Sequence, residues 1–534
     1  MGCPYCQDPN YPAANGLVNA RPPCIQPQGP CIPCKKMEKL DRQICQAKLA
    51  LDDMLKQRFE LATERNAEHD PITRLCPPEV VSSIFEFYVG QHAPPFDTWK
   101  SDRKAPMTLA SVCRTWRAIA FSTPRLWTSL SIDLRQSKPP FFTRLTLTRQ
   151  WLERSAQLPL SISVEGCAYS SPTDARAIEA DVMIHIVKEC YPRCWALRID
   201  APSYVLDKFS TSSQESSVLE RLALHSSNHG GSFDGEVQLG AARPTQVSIS
   251  ELDVDCVRIL WDRVTKVELE YINYDDLLKV LQAAPGIEDG TFTNVGLPAE
   301  AFDGPDNPIV GASLQRFVFT TVGPEDPLAD QLLEHITLPA IKDFTFCDEG
   351  NFLSAGNFIP FLQRSRCSLT RLVLCCMYFE DCQDLISILK EIPSLEDFNL
   401  QPYDDGLLTP ILCHLGHTSL VPATSQEAFL PRLEIFYYKM VSDFFGWGGF
   451  PEIFGHISDI DSPQRRPLRC LEVEIEPSQL SLTTDYCIPP PILQHFLQLK
   501  AAGIELRLPA PRTNEDLLQV SVDLYDVDFP PLNT

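Results

Sequence analysis

Apolar residues recur with two different periods along this chain, and the change of period separates its front from its remainder. Between residues 37 and 66 they alternate three and four positions apart, the heptad spacing of an amphipathic helix. The stripe consists of Met37, Leu40, Ile44, Ala47, Leu51, Met54 and Leu61, with Arg58 breaking one position. This helix either pairs with a second chain or lies along neighbouring helices of its own chain, and we favour the second arrangement.

Beyond residue 190 the pattern becomes apolar-x-x-apolar-x-apolar, repeated many times. Clear copies begin at Leu219, Val264, Leu314, Ile341, Leu369, Leu395, Leu433 and Leu468, and weaker ones at Cys194, Ile249 and Ile287. From 264 to 395 neighbouring copies are 23 to 28 residues apart. Each copy predicts a short strand, and Asp276–Leu281 and Asp384–Lys390 predict helices on the return path.

This spacing is typical of a leucine-rich-repeat solenoid, in which parallel strands stack and each unit buries its neighbour's apolar face. An ordinary α/β sheet whose strands share the motif is the alternative. Residues between the inward apolar positions are expected to point to solvent and to form a surface for a protein target. They are Glu268, Val318, Thr345, Val373, Asn399 and Glu472.

Two short helices are predicted ahead of the repeats. Pro77-Pro78-Glu79 is a helix start, since proline suits the first turn and Glu79 the positive end of the helix dipole. The first helix is predicted to carry Val80, Val81, Ile84, Phe85 and Tyr88 on one side. The second carries Leu109, Val112, Trp116, Ile119 and Ala120. Little sequence surrounds these wide apolar faces, so part of their surface either docks on a partner or packs on the rest of the chain.

The strings Cys76-Pro-Pro-Glu-Val-Val-Ser-Ser-Ile-Phe85 and Leu109-Ala-Ser-Val-Cys-Arg-Thr-Trp-Arg-Ala-Ile-Ala120, followed by Thr123-Pro-x-Leu-Trp127, resemble the F-box-like domain of many large fungal proteins. Cys76 departs from the leucine that the family favours. The segments 151–155 and 158–164 resemble the stretch that follows the domain. The resemblance implies a non-enzymatic substrate-recognition subunit of a cullin-RING ubiquitin ligase. It also implies that the small adaptor subunit contacts Pro77, Pro78, Ile84, Phe85, Leu109, Val112, Trp116 and Ile119.

The expected fold class is therefore α+β or α/β, with a small helical domain followed by an irregular leucine-rich-repeat solenoid. We divide the chain into 1–36 (irregular tail), 37–66 (helix), 72–130 (F-box-like domain), 131–190 (connecting α/β segment), 191–510 (solenoid) and 511–534 (C-terminal tail).

Composition narrows the function further. The 534 residues carry a net charge of −24 and 44% hydrophobic residues, which indicates a globular chain and disfavours nucleic acid as a partner. With no apolar run long enough to span a membrane and no apolar signal core, we expect a cytoplasmic or nuclear protein. Most of the 20 cysteines are then expected to be thiols, with Cys375 filling space in the core.

The N-terminal tail holds two CxxC pairs, Cys3 with Cys6 and Cys31 with Cys34. Such pairs suit tetrahedral zinc, which is the candidate cofactor. A disordered cysteine-containing tail is the favoured alternative, and acylation at Met1-Gly2-Cys3 is a third. A zinc-bearing regulatory protein therefore stays open as a function.

No HExxH, GxSxG, P-loop or GxGxxG motif occurs, so catalysis is not predicted. The apolar loop 446–450 either tucks against the solenoid or binds a partner. A scaffold that keeps an F-box-like fold without ligase assembly is the main alternative function, and the sequence does not identify the substrate.

Overall fold

The computed structural model describes residues 31–92, 105–135, 140–166, 175–210, 218–227, 235–297, 304–321, 328–348, 352–375, 378–379, 381–402, 407–441, 446–460, 462–476, 486–511, 513 and 515–525. The chain forms two compact units. The first consists of 1–129 together with 147–158, and the second of 130–146 together with 159–534. Large parts of the predicted N-terminal and C-terminal tails lie outside the described residues.

The first unit is helical. The heptad stripe forms α1 (Ile32–His69), which begins before the predicted residue 37 because Pro33 occupies its first turn and Cys31 precedes it in extended conformation. The remaining helices are short, and a 3₁₀ turn at Pro124–Trp127 follows them. They are α2 (Pro71–Leu75), α3 (Pro78–His92), α4 (Ala105–Val112) and α5 (Arg114–Ser122).

A small core joins α3, α4, α5 and the 3₁₀ turn. Its fully buried members are Val81, Phe85, Leu109, Ala110, Ile119, Ala120, Leu126 and Trp127. The Trp151 ring packs edge-on against the Trp127 ring at 4.6 Å between centroids. The stretch 147–158 therefore belongs to this unit, which reaches past the predicted boundary at 130.

The heptad stripe of α1 is not buried by its own chain. Its large apolar side chains are 39% to 65% exposed, from Ile44 at the lower limit to Leu61 at the upper. The expectation that the stripe lies along the neighbouring helices is therefore wrong for the described residues. The contacts of this helix that can be described lie near its C-terminal end. There Phe59, Ala62, Thr63 and Asn66 line a small pocket with residues 111–115 and Arg117.

The second unit is built on a 14-stranded sheet. Its strands are β1 (Ser129–Asp133), β2 (Leu160–Glu165), β3 (Cys194–Ala201), β4 (Arg221–Ser226), β6 (Gln246–Ser250), β8 (Lys266–Glu270), β9 (Asp289–Val295), β11 (Arg316–Thr321), β13 (Asp343–Cys347), β14 (Arg371–Cys375), β15 (Asp397–Gln401), β16 (Ile435–Val441), β17 (Cys470–Glu476) and β18 (Glu505–Arg507). Two small sheets pair β5 (Val237–Gln238) with β7 (Val257–Arg258), and β10 (Ile309–Val310) with β12 (Ile336–Thr337).

Strand order in the large sheet follows chain order, and the pairings from β2 to β18 are parallel. Mixed helix and sheet with a large parallel sheet agrees with the predicted α/β class. The sheet also includes β1 and β2, so it starts inside the segment that was predicted as a connection.

Helices return the chain between strands. They are α6 (Phe141–Arg154), α7 (Ala175–Cys190), α8 (Ser203–Leu206), α9 (Tyr274–Ala283), α10 (Leu328–His335), α11 (Ala355–Ser365), α12 (Cys382–Lys390), α13 (Leu408–His417) and α14 (Pro490–Ala501). A last helix, α15 (Leu517–Tyr525), follows β18. Both helices predicted on the return path are confirmed, within α9 and α12. Consecutive helices α10, α11 and α12 pack against one another.

The apolar motif sets the register of the sheet. Leu222, Val247 and Val267 are aligned on three neighbouring strands, as are Leu224, Ile249 and Leu269. Ile249 is therefore the last apolar position of its copy rather than the first. The buried Pro244 takes the first position, where leucine, isoleucine or valine is typical, so this copy is hard to recognise from sequence.

Inward positions form a continuous aromatic core in the middle of the sheet. The Phe317 and Phe344 rings stack at 5.7 Å, and Phe319 and Phe346 at 5.5 Å. The Phe344 ring also stacks on Phe361 of α11 at 5.6 Å, which holds the helix against the strands. Each strand thus depends on its neighbours and on a helix for the burial of its apolar side chains.

Two local expectations need correction. Cys375 does not fill space alone, because its sulfur lies against that of Cys347, its partner in register on the adjacent strand. In the loop 446–450, Trp447 and Phe450 are buried, and the Trp447 indole N–H donates to the Tyr486 carbonyl at 2.9 Å. The loop is therefore tucked in, and the alternative that these two rings bind a partner is wrong.

Candidate functional site

Helix α3 carries two apolar faces rather than one. Val81 and Phe85 point into the core and are at most 1% exposed. Val80, Ile84 and Phe87 are 45%, 41% and 69% exposed, and their spacing of four and three residues places them along one line of the helix. We call these three residues the α3 outer face. The prediction that Val80 and Ile84 share one side with Val81 and Phe85 is thus wrong.

The eight predicted adaptor contacts divide by environment. Ile84 belongs to the α3 outer face, and Pro77 and Pro78 are exposed at the start of the same helix. Phe85, Leu109 and Ile119 are instead core residues. Val112 is exposed and lines the pocket beside Phe59, and Trp116 is half-buried against Phe85. Sequence reasoning missed Phe87, although its position three residues after Ile84 was a sufficient signal.

The outer face begins at a well-defined helix start. The Pro77 carbonyl accepts backbone hydrogen bonds from Val80 at 3.0 Å and from Val81 at 3.1 Å. Glu79 lies in the first turn, where a negative charge is favourable. The Pro77-Pro78-Glu79 start that the sequence indicates is therefore confirmed in the structure.

Asp70 holds the Trp116 side chain behind this helix. It caps α2 by accepting from the backbone N–H of Ile72 at 3.0 Å, and it accepts from the Thr73 hydroxyl and the Trp116 indole N–H at 2.6 Å each. Burial opposes the charged form, but the hydrogen bonds from Thr73 and Trp116 outweigh it and lower the pKa of Asp70. Only the local sequence Asp70-Pro71 signalled a helix cap, and nothing local signalled the link to Trp116.

A second cluster of contacts joins the 3₁₀ turn and Arg154 to α5, which packs against α3. The Thr123 hydroxyl donates to the Ile119 carbonyl at 2.7 Å, and the Trp127 indole N–H donates to the Ala120 carbonyl at 2.8 Å. The Arg154 guanidinium lies 3.8 Å from the centre of the Phe121 ring. The outer face therefore rests on a packed and hydrogen-bonded base, as a preformed docking surface requires.

A second candidate surface lies on the large sheet of the other unit. The predicted solvent-pointing residues fall in one row across neighbouring strands, because their registers match. Most of them are half-buried, and Val373 is almost fully buried. We call this set the strand row. It runs Glu268, Thr291, Val318, Thr345, Val373, Asn399, Tyr437 and Glu472.

The strand row is uncharged in its centre and acidic at its two ends. From Thr291 to Tyr437 it carries hydroxyl, amide and valine side chains, whereas Glu268 and Glu472 flank them. At one end, the Tyr437 hydroxyl donates to Glu474 at 2.7 Å. Burial and this hydrogen bond both raise the pKa of Tyr437. Such a row can bind an extended protein segment through hydrogen bonds and small apolar contacts.

A ladder of alternating charges borders the row at the start of the strands. Arg316 contacts Asp289 at 3.0 Å and Asp343 at 3.6 Å, and Arg371 contacts Asp343 at 3.2 Å and Asp397 at 3.1 Å. Burial raises the pKa of Asp397, although Arg371 opposes the shift. These charges compensate one another, so the ladder fixes strand register rather than attracting a charged partner.

The candidate zinc site is only partly described. Cys3 and Cys6 lie outside the described residues, Cys31 precedes α1, and Cys34 lies in its first turn. Within the described ranges, no group of three or more histidine, cysteine or acidic residues is arranged to hold a metal ion. Among the helices that can be described, none combines the length and the apolarity needed to cross a membrane.

Comparison with known proteins adds no assignment. No protein-family model matches the chain, and no curated protein matches it significantly.

Proposed function

We propose that this chain is a non-enzymatic substrate-recognition subunit of a cullin-RING ubiquitin ligase, working in the cytoplasm or nucleus. The α3 outer face docks on the small adaptor subunit of the ligase. The strand row of a leucine-rich-repeat solenoid holds the protein that is to be ubiquitinated. The observation that carries the proposal is the exposed line Val80, Ile84 and Phe87 on a helix that is held to its unit by the buried Val81 and Phe85.

Three features support docking through α3. Exposed apolar residues aligned three and four positions apart are the usual anchors of a helix that packs on a partner. The proline start of the helix lies beside them, as the F-box resemblance implies. Because the base beneath them is already packed, binding orders few additional side chains, which favours affinity.

The solenoid assignment is supported by the parallel strands in chain order and by the motif register. In such an array the outward residues of successive strands form one extended surface. The uncharged centre of the strand row favours a target segment that binds by backbone hydrogen bonds and small side chains. The acidic ends favour a target with basic residues beside that segment.

Direct binding tests the adaptor assignment. Purified full-length chain is titrated with the purified fungal adaptor subunit, alone and in complex with the cullin. We expect saturable binding, and we expect Ile84→Asp to weaken it at least about tenfold, because a charge is placed in a desolvated apolar contact. Leu49→Asp on α1 is the matched control, since it changes a similarly exposed leucine outside α3.

Two outcomes would contradict the proposal. Absence of adaptor binding by the wild-type chain favours the alternative, a protein-interaction scaffold without ligase assembly. Equal loss in Ile84→Asp and Leu49→Asp shows that binding does not use the α3 outer face. Circular dichroism of both variants checks that the helices remain folded.

A further inference from the structure

Helix α1 presents an apolar stripe with no use in the proposed ligase function. Its large members Met37, Leu40, Ile44, Leu51, Met54 and Leu61 are all at least 39% exposed. We propose that this stripe is the dimer interface of the protein, and that a second copy of the same chain covers it as an antiparallel two-stranded coiled coil.

The spacing of the stripe fits self-association. With Met37 at heptad position a, the apolar residues occupy positions a and d over more than three heptads, interrupted only by Arg58. We call these a and d positions the seam. A seam of this kind is complementary to another copy of itself, since each side chain fits between four residues of the facing helix. Helices in proteins gain most of their stability from packing an apolar face, so a partner on this stripe would stabilise α1.

The intrachain contact leaves the seam accessible. The pocket residues Phe59, Ala62, Thr63 and Asn66 occupy heptad positions b, e and f, whereas the seam uses a and d. The Arg114 guanidinium lies over the Phe59 ring at 5.3 Å, on the same side as this pocket. The helix is thus anchored to its unit by one face and displays a different face along its length.

Charge determines the orientation. Residues 35–48 contain five basic and two acidic side chains, whereas residues 49–68 contain three basic and five acidic ones. An antiparallel pair places the basic half of each helix beside the acidic half of the other, and it also aligns the helix dipoles favourably. In the matching register, Met37 lies opposite Leu61 of the second copy and Arg58 lies opposite Leu40. A parallel pair would instead face two Arg58 side chains.

The mass of the full-length chain in solution tests the interface. We expect light scattering coupled to size exclusion to give twice the monomer mass of 60.0 kDa, falling to the monomer mass on dilution. Leu51→Asp in the seam is expected to raise the dimer dissociation constant at least about tenfold. Leu49→Asp is the matched control, because it puts the same side chain on an equally exposed position of the same helix.

Oxidative cross-linking tests the orientation. On a non-reducing gel, the double variant Met37→Cys with Leu61→Cys is expected to give more covalent dimer than the wild-type chain, whereas Met37→Cys alone is not. A monomeric wild-type chain at every concentration overturns the proposal, as does equal disruption by Leu49→Asp and Leu51→Asp. Cross-linking of Met37→Cys alone overturns the antiparallel arrangement.

Discussion

Helix α3 and strand β13 use apolar side chains in opposite ways. Along β13, Phe344 and Phe346 are completely buried by rings from neighbouring strands and from α11, and the residue between them points outward. Along α3, Val81 and Phe85 are buried, but Val80, Ile84 and Phe87 are not. Both elements are rich in apolar residues, and only the first uses all of its large apolar side chains for stability.

The difference shows that apolar content and structural importance are separate quantities. A side chain that is buried contributes to folding in proportion to the surface it hides, whereas an exposed one contributes little until a partner covers it. Substitutions in the two regions should therefore separate stability from binding.

The largest effect is expected in the core of the sheet. Phe344→Ala should reduce the free energy of unfolding by about 3–5 kcal/mol, because it leaves a cavity among four packed rings. Chemical denaturation measures this, with Thr345→Ala, the outward neighbour, as control. We expect the control to change stability by less than about 0.5 kcal/mol. Similar losses of unfolding free energy in both variants would contradict the assignment of Phe344 as inward-pointing and Thr345 as outward-pointing.

A buried cation is expected to produce the next largest effect. Arg466 is 3% exposed, and its guanidinium donates to the carbonyls of Leu415, Leu430 and Phe429 at 2.8–3.1 Å. Burial lowers its pKa to about 10, which leaves it charged at neutral pH. Arg466→Met should destabilise by roughly 3 kcal/mol, since these carbonyls lose their donor.

The exposed Arg469 is the matched control for that substitution. It forms a surface ion pair with Glu434 at 2.7 Å, so Arg469→Met should cost less than about 1 kcal/mol. Thermal unfolding of both variants against the wild-type chain compares them. A small effect of Arg466→Met would show that the carbonyls find other partners.

Within the helical unit, Trp116 is expected to support the fold, whereas Ile84 is expected to serve binding. Trp116→Phe removes the donor to Asp70 and should reduce stability by roughly 1–2 kcal/mol. Ile84→Asp should leave stability unchanged within about 0.5 kcal/mol and yet weaken adaptor binding. Denaturation and titration of both variants check this, and a strongly destabilised Ile84→Asp would place Ile84 in the core.

The smallest effect concerns pH. The Asp200 carboxylate, 2.9 Å from His225, raises the pKa of that histidine, and Glu251 adds to the shift against desolvation and Arg198. The pKa of His225 is higher in the folded than in the unfolded state. The pair of His225 and Asp200 therefore adds its full contribution to the free energy of unfolding below about pH 6.5, and this contribution is lost as pH rises through the folded-state pKa. Since both side chains are partly exposed to solvent, we expect this contribution to the free energy of unfolding to be about a few tenths of a kcal/mol.

His225→Gln should remove this pH dependence. Denaturation of the variant and the wild-type chain at several pH values measures the difference in stability between them. A difference that grows as pH rises, rather than shrinks, would contradict a raised histidine pKa in the folded state.

The strands were predictable because their signal is local and repeated. The apolar pair separated by one residue in Leu372-x-Leu374 or Phe398-x-Leu400 reports both the strand and its inward face. Pro244 concealed one copy, since proline is not typical of that position. On α3, the consecutive apolar pairs Val80-Val81 and Ile84-Phe85 merged two faces into one apparent stripe.

Contacts between distant residues were not predictable. Asp70 and Trp116 are 46 residues apart, and the oxygens that hold Arg466 come from 36 to 51 residues earlier in the chain. No spacing rule relates such positions, because the tertiary fold alone brings them together. Of the predicted adaptor contacts, Ile84, Val112 and the two prolines are exposed, whereas Phe85, Leu109 and Ile119 belong to the core beneath them.

The ionic ladder of the sheet limits how this architecture can change in length. From Asp289 to Asp397 the sign of the charge reverses at every strand. Deleting one unit, such as that of Asp343, would set Arg316 beside Arg371, and duplicating one would set like charges side by side. Only the gain or loss of an even number of units preserves the alternation, so viable insertions and deletions in this stretch should come in pairs.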